Sequence, residues 1–308
     1  TMTVMTDIQA GIDDRHTEEK AQSAAAAFAP MKMQTPRSSS WTREEGVRYF
    51  VALDVDGTLV DHDGRMSRGV KDTLRAVVGA GHHVVIATGR SKGATLPVIR
   101  QGHIHSGFAV CSNGGVTLRL DPQLEQRYEI TDRVSFDPSN ALRALSSKLP
   151  TAKFALEGVD GQFYSTERFQ DSSFGIEAVG VDLQELSEMP AVRLVVYSAT
   201  DAPGDFAQAI EQAGLHGVAY SVGWSSWLDV AANGVSKASA LEQIRKQLDV
   251  DPAHTVAMGD GRNDIEMLQW AARGVAMGQA PDEVEQVARE VTGSVYDDGA
   301  AAILRTLL

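Results

Sequence analysis

Apolar runs that stop abruptly at polar turns organise this chain. Phe50-Val51-Ala52-Leu53 leads straight into Asp54-Val55-Asp56-Gly57-Thr58. A continuous apolar stretch of that kind suits a strand buried on both faces of a sheet. Ser67 to Ala80 then places Val70, Leu74, Val77 and Val78 at helical spacing, with Gly79 and Gly81 as a stop signal. His83 to Ala87 is a second apolar run, ending in Thr88-Gly89-Arg90. Phe108 to Cys111 is a third, ending in Ser112-Asn113-Gly114-Gly115. Strand, helix, strand, helix, strand predicts an α/β fold with a doubly wound parallel sheet.

The rhythm changes near Tyr128. Ala152 to Leu156 and Gln162 to Ser165 read as a β-hairpin, Val192 to Tyr197 as a strand, and Asp205 to Ala213 as a helix closed by Gly214. From Trp227 the parallel pattern is expected to resume. Ser236 can cap a helix bearing Leu241, Ile244 and Leu248, and Thr255 to Met258 is a strand running into Gly259-Asp260-Gly261-Arg262-Asn263-Asp264. Pro281, with Asp282, Glu283 and Glu285, starts the last strong helix, its apolar face made of Val284, Val287, Ala288 and Val291. The expected organisation is a core from 47–128 and 227–308, with an inserted α+β cap domain at 129–226. Residues 1–46, Ala-rich and then Ser-rich, are expected to form a disordered N-terminal tail with a transient helix near Glu18 to Phe28, and Met31 or Met33 could serve as the start.

Composition narrows the function classes. The 308 residues carry 41 acidic and 28 basic side chains, a net charge of -13, which argues against nucleic acid or an anionic membrane as partner. An anionic substrate stays open, because local cations outweigh a global charge screened over ~8 Å. Cys111 is the only cysteine, so an intrachain disulfide is excluded and a reducing cytoplasm fits. No stretch approaches the ~20 apolar residues of a membrane span.

Candidate chemistry sits where the apolar runs end. Asp54 with Asp56, Thr88, Asn113, and Asp260 with Asn263 and Asp264 would converge on one edge, since ligands bind outside the carboxyl ends of parallel strands. Taken singly, each also suits a turn or a cap. Paired carboxylates repel unless something positive lies between them, and Mg2+ held together with a substrate phosphate meets that need. Lys237 would stand in the first turn of its helix, where the dipole disfavours a cation. A nearby anion would remove that conflict.

Together these segments resemble the four motifs of the haloacid dehalogenase superfamily, in order: Asp54-Val55-Asp56-Gly57-Thr58, Thr88-Gly89-Arg90, Lys237, and Gly259-Asp260-Gly261-Arg262-Asn263-Asp264. Ser112-Asn113-Gly114-Gly115, Gly234-Val235-Ser236-Lys237 and Asp264-Ile265-Glu266-Met267-Leu268 resemble its Cof-type Mg2+-dependent phosphatases. The resemblance covers about residues 48 to 308. It departs at Ala238, where many relatives carry glycine, and it assigns the tail no role.

The resemblance implies a Rossmann-like core and a mechanism. Asp54 would be the nucleophile that forms an aspartyl phosphate, and Asp56 the acid and base for leaving group and water. Mg2+ would be held by Asp54, a main-chain carbonyl at Val55 or Asp56 (the latter in this family) and Asp260, with Asp264 supporting metal-bound water. Thr88 and the amides near Gly57 and Gly89 would hold phosphate, joined by Arg90 and Asn113, while Asn263 would serve the phosphate or Lys237. Lys237 would balance the charge on Asp54 and the phosphoryl group. The cap would select the leaving group, with Glu157 to Gln162, Arg193, Trp224 and Trp227 as candidate specificity residues. The implied substrate is a small phosphorylated metabolite, a sugar phosphate before a phosphorylated cofactor or nucleotide. The competing readings are a phosphomutase on the same scaffold and a phosphate-binding or phospho-acceptor module without turnover.

Overall fold

The structure is a computed structural model, and it describes residues 41–308 apart from Glu167, Arg168, Gln170 and Trp224. The helix expected near Glu18 to Phe28, and residues 1–40 generally, lie outside the described residues. The last part of the expected tail does not behave as one. The Trp41 ring stacks under the Arg273 guanidinium at 4.0 Å and meets Tyr49 edge-on at 5.5 Å, and Arg43 donates to the Leu307 carbonyl at 3.1 Å. An aromatic residue next to a partly hydrophobic rim gains more from packing than from staying in water.

In chain order the strands are β1 (Phe50–Leu53), β2 (His83–Ala87), β3 (Gly107–Cys111), β4 (Val116–Leu120), β5 (Tyr128–Arg133), β6 (Lys153–Gly158), β7 (Phe163–Ser165), β8 (Val179–Gly180), β9 (Ala191–Tyr197), β10 (Val218–Val222), β11 (Trp227–Ala232), β12 (Thr255–Gly259), β13 (Arg273–Ala276) and β14 (Glu290–Val291). Among the described residues they build an eight-stranded sheet, ordered β14-β13-β12-β1-β2-β3-β4-β5, and a six-stranded sheet, ordered β10-β11-β9-β6-β7-β8. From β14 to β3 the first sheet is parallel, and β4 and β5 extend it antiparallel. The second sheet is antiparallel except where β7 meets β8.

The central strand explains the winding. Along β1, Val51 and Leu53 enter one buried cluster and Phe50 and Ala52 the other, so alternate residues face opposite layers. The helices Arg68–Gly79 and Gly299–Arg305 cover the first face with Leu74, Val77, Ala301 and Leu304. Lys237–Gln247 and Ile265–Trp270 cover the second with Leu241, Ile244, Met267 and Leu268. Both faces are sealed, as a doubly wound sheet requires. Among the described residues no helix is long and apolar enough to cross a membrane.

The boundaries between the sheets differ from those expected at 129 and 227. β5 stays with the first sheet, pairing β4 antiparallel, so the first sheet runs on past Tyr128. β11 belongs to the second sheet, paired to β9 and β10, so Trp227 does not resume the parallel pattern. A largely buried antiparallel strand such as β11 and a buried parallel one share short apolar runs, and pairing partners alone decide between them. The helix expected from Pro281 ends at Val287, Val291 lies in β14, and a further helix, Gly299–Arg305, closes the chain.

Candidate active site

Asp54 follows β1 at its carboxyl end, its N–H still bonded to the Met258 carbonyl of β12 at 3.0 Å. The chain then turns tightly. The Val55 carbonyl accepts the N–H groups of Thr58, Leu59 and Val60 at 3.3, 2.9 and 2.9 Å. Gly57 makes the turn possible with φ +74°, and a Cβ there would lie 2.0 Å from Asp260 Oδ2. Glycine is therefore required twice, for its backbone angle and for the approach of the Asp260 loop.

Two segments converge on Asp54, the start of the Lys237 helix and the loop after β12. Lys237 opens its helix after the Ser236 cap, whose side chain accepts from the Ser239 N–H. Its Nζ donates to Asp54 Oδ1 at 2.6 Å and to Asp264 Oδ1 at 2.7 Å, and the side chain is fully buried. The two carboxylates resolve the conflict between a cation and the positive end of a helix. Asp264 Oδ2 accepts the N–H groups of Asp260 and Gly261 at 3.0 and 2.9 Å, which folds the loop after β12 around it. Burial disfavours the Lys237 ammonium, but Asp264 and Asp54 outweigh that and hold its pKa above the ordinary value. Burial, then the Asp264 carboxylate, push Asp54 well above the ordinary range against the pull of Lys237. Asp260 is pushed up to about 7 by burial first and Asp264 second. Oxygens of Asp54, Asp260 and Asp264 all lie within 4.8 Å of one another, an acidic cluster with the oxygen donors that a hard divalent cation takes.

Asp56 occupies a different environment two residues on. Its side chain is 60 % exposed, and Arg90 grips it with Nε to Oδ2 at 2.9 Å and Nη2 to Oδ1 at 2.5 Å. Arg90, expected on the phosphate, is thus bonded to Asp56, because an exposed carboxylate matches its planar fork. Thr88 is buried at the end of β2 and its Oγ1 accepts the Arg90 N–H at 3.1 Å. Asn263 donates to Asn113 Oδ1 at 3.0 Å, not to Lys237, whose nearest partners are the two aspartates. Asn113 stands at φ +53° after Ser112 at φ +52°, and a Cβ on the next residue, Gly114, would lie 2.3 Å from the Ser236 carbonyl. The Asn113 loop is thereby pressed against the turn that carries Lys237. Two buried donors here, Thr58 Oγ1 and Asn113 Nδ2, have no partner among the described residues. Unmet buried donors beside an ammonium suit an anion.

Gln279 lies outside the pattern of strand ends expected from the sequence. It follows β13, donates to Asp260 Oδ2 at 3.2 Å and bonds the Gly57 carbonyl, and its Oε1 accepts the Val295 N–H at 3.0 Å. The strand-end rule that found Asp260 would have found it had Arg273 to Ala276 been read as a strand.

A cavity of about 510 Å³ opens beside Lys237, Asn113 and Asn263 and is walled from the second sheet by Tyr220, Val222 and Ala231. Among the expected specificity residues, Arg193 reaches it but is bonded elsewhere, Glu157 is buried against Ser112, and Trp227 donates to Asp229 Oδ2 at 3.0 Å within an aromatic cluster. Trp224 lies outside the described residues. The β10 wall carries no sequence signal beyond an unremarkable Val-Ala-Tyr-Ser-Val run.

Comparison with known proteins identifies the family. Residues 51–304 match the family model described as haloacid dehalogenase-like hydrolase. The phosphoglycolate phosphatase of Methanoculleus marisnigri is 30% identical over 254 residues, covering 81% of this chain and 92% of the relative. A 5-amino-6-(5-phospho-D-ribitylamino)uracil phosphatase of Bacillus subtilis is 27% identical, covering 83% and 96%. Among solved structures, the HAD subclass IIB sugar phosphatase BT4131 superposes with a TM-score of 0.70 at 21% identity, over 83% of this chain and 98% of that one, which shows a shared fold. The chain therefore belongs to the haloacid dehalogenase-like hydrolase family and is a phosphatase of that family.

Proposed function

We propose that this phosphatase hydrolyses phosphomonoesters of small hydroxylated metabolites, sugar phosphates first among them, through an aspartyl phosphate on Asp54. The observation that carries the reading is the unequal treatment of two neighbouring carboxylates. Asp54 is buried and bonded to Lys237, whereas Asp56 is exposed and held by Arg90. Environments that differ this much suit different roles.

Asp54 attacks phosphorus, the bond to the leaving oxygen breaks, and Asp56 gives that oxygen its proton. Asp56 then takes a proton from water as the water attacks the same phosphorus, which frees phosphate and restores the Asp54 carboxylate. Lys237 keeps Asp54 in place and offsets its charge together with that of the phosphoryl group. Thr88, Asn113 and the buried hydroxyl of Thr58 supply donors for phosphoryl oxygens.

The residues present fit Mg2+. Asp54 and Asp260 would hold it with the Asp56 carbonyl, since the Val55 carbonyl already accepts three N–H groups. Asp264, with both oxygens engaged, supports the site from behind. Bound there, Mg2+ supplies charge neutralisation between an anionic nucleophile and an anionic substrate.

We take the segment that forms the second sheet as the cap over the site. The cavity is large enough for a sugar-sized leaving group, and the named activities of the relatives on phosphoglycolate, a ribityl phosphate and sugar phosphates favour small polar alcohols. Cys111, the only cysteine, is buried at the end of β3, and a reducing cytoplasm is the compartment we assign.

The test is phosphate release from an aryl phosphate with Mg2+. Asp54→Asn should abolish it with unchanged far-UV circular dichroism, and undiminished activity in that variant would sink the assignment. A panel of phosphorylated metabolites then identifies the leaving group. Recovery of an isomeric sugar phosphate in place of free phosphate would indicate a mutase.

A further inference from the structure

Arg193 is the largest fully buried side chain of the second sheet, and the chemistry above does not use it. From β9 its Nη1 donates across the seam to the Gly89 carbonyl. Its Nε lies 3.8 Å from Glu157 Oε2 and its Nη1 3.6 Å from Asp229 Oδ1, and its guanidinium sits over the rings of Phe163 and Phe174 at 5.4 and 5.9 Å. Glu157 Oε2 in turn accepts from Ser112 Oγ at 2.5 Å, and the Ser112 N–H donates to the Arg90 carbonyl at 2.8 Å. The contacts form a circuit from Gly89 through Arg193, Glu157 and Ser112 to Arg90, crossing between the sheets twice.

The next residue is tied independently. The Ser91 N–H donates to the Ser173 carbonyl at 2.9 Å and Ser91 Oγ to the Phe174 carbonyl at 2.5 Å. Gly89, Arg90 and Ser91 are thus each engaged, directly or through Ser112, by the second sheet and its loops. These residues sit between Thr88 and the helix Lys92–Gln101, and Arg90 is the residue that grips Asp56. A guanidinium removed from water is costly unless paired, and although Glu157 and Asp229 of its own sheet lie within ion-pair range, its Nε and Nη2 have no hydrogen-bond partner among the described residues. Its bond to Gly89 serves the other sheet.

We propose that Arg193 is a positioning residue for phosphoryl transfer: it fixes the loop from Thr88 to Ser91, so that seating of the second sheet and placement of Thr88 and the Arg90–Asp56 pair are one event. The kinetic side of this rests on the phosphatase reading above, and the structural side does not. A misplacement of about 1 Å in such a loop costs about 10²-fold in turnover.

The test combines amide hydrogen exchange with a mutant cycle on the full chain. In Arg193→Gln, exchange in peptides spanning 88–95 should rise about 10-fold while peptides of the helix Lys237–Gln247 keep their wild-type rates. Ser112→Ala, which removes the link without touching a charge, should shift the same peptides in the same direction, and it serves if Arg193→Gln does not fold. For aryl phosphate, kcat of Arg193→Gln should fall about 10²-fold with KM changed less than about 3-fold, and the same substitution in a Thr88→Ala background should cost less than about 3-fold. Unchanged exchange at 88–95, a uniform rise across the molecule, or additive losses in the cycle would overturn the proposal. If the wild-type chain releases no phosphate, the hydrolase reading fails while exchange still decides the role of Arg193.

Discussion

Arg90 and Asp56 lie 34 positions apart in the chain and meet through two hydrogen bonds, at 2.9 and 2.5 Å. The ion pair joins the turn after β1 to the loop after β2, the two loops that flank Asp54. Asp54 itself faces inward to Lys237, so one short sequence presents one buried carboxylate and one steered at the surface.

If Asp56 is the acid and base, its loss should be felt most where the leaving group most needs a proton. Asp56→Asn should lower kcat/KM, which reports the step that expels the leaving group, by ~10²–10⁴-fold for alkyl phosphates and by much less for an aryl phosphate with an acidic phenol. Arg90→Gln should follow the same pattern at about 10²-fold. Equal losses across a leaving-group series would contradict the assignment.

Lys237 is buried with two carboxylates, and removing it leaves their charges unpaired. Lys237→Met should reduce stability by about 3–5 kcal/mol in urea unfolding without added metal. Adding Asp264→Asn to that variant should recover part of the loss, because one unpaired charge disappears with it. A stable single variant would show that the charges are relieved by some other group.

At Gly57 a methyl group meets Asp260 Oδ2 at 2.0 Å on a backbone with φ +74°. Gly57→Ala should therefore displace Asp260, and the Mg2+ concentration for half-maximal activity should rise by at least about 10-fold. Metal titration followed by phosphate release measures it, and an unchanged half-saturation point would remove Asp260 from the metal site.

Glu157 provides a pH signature. Burial first, against the opposing pull of Arg193 and Ser112, raises its pKa above the ordinary 4.5. Between 4.5 and the raised folded value the folded state keeps a proton that the unfolded state has released, so stability falls as pH rises through that window. Glu157→Gln lacks this slope. The difference in melting temperature between variant and wild type should shift in favour of Glu157→Gln as pH rises from 4.5 and then level off. A constant difference would contradict the raised pKa.

The parallel core was legible because its strands are buried on both faces and read as unbroken apolar runs: Phe50–Leu53, His83–Ala87 and Thr255–Gly259 stand where the pattern put them. Asp54, Thr88, Asn113 and Asp260 followed from the single rule that such strands end at one edge. What could not be read depended on partners. Trp227–Ala232 has the same apolar look as a parallel strand but pairs antiparallel with β9, and nothing local distinguishes the two. Arg90 bonded to Asp56, Asn263 to Asn113 and Arg193 to Gly89 are contacts between loops distant in sequence, fixed by tertiary packing. Gln279 stayed hidden because Arg273 to Ala276 is short and opens with a charged residue, which finds its counterion in Glu290 at 2.8 Å.

Whether Asp54 carries the phosphoryl group is decided by rapid quenching of a single turnover into borohydride. Reduction of an aspartyl phosphate converts the side chain to homoserine. Peptide mapping should find homoserine at position 54, dependent on substrate and absent at Asp56, Asp260 and Asp264. Brisk phosphate release with position 54 unmodified under the same quench would contradict that role.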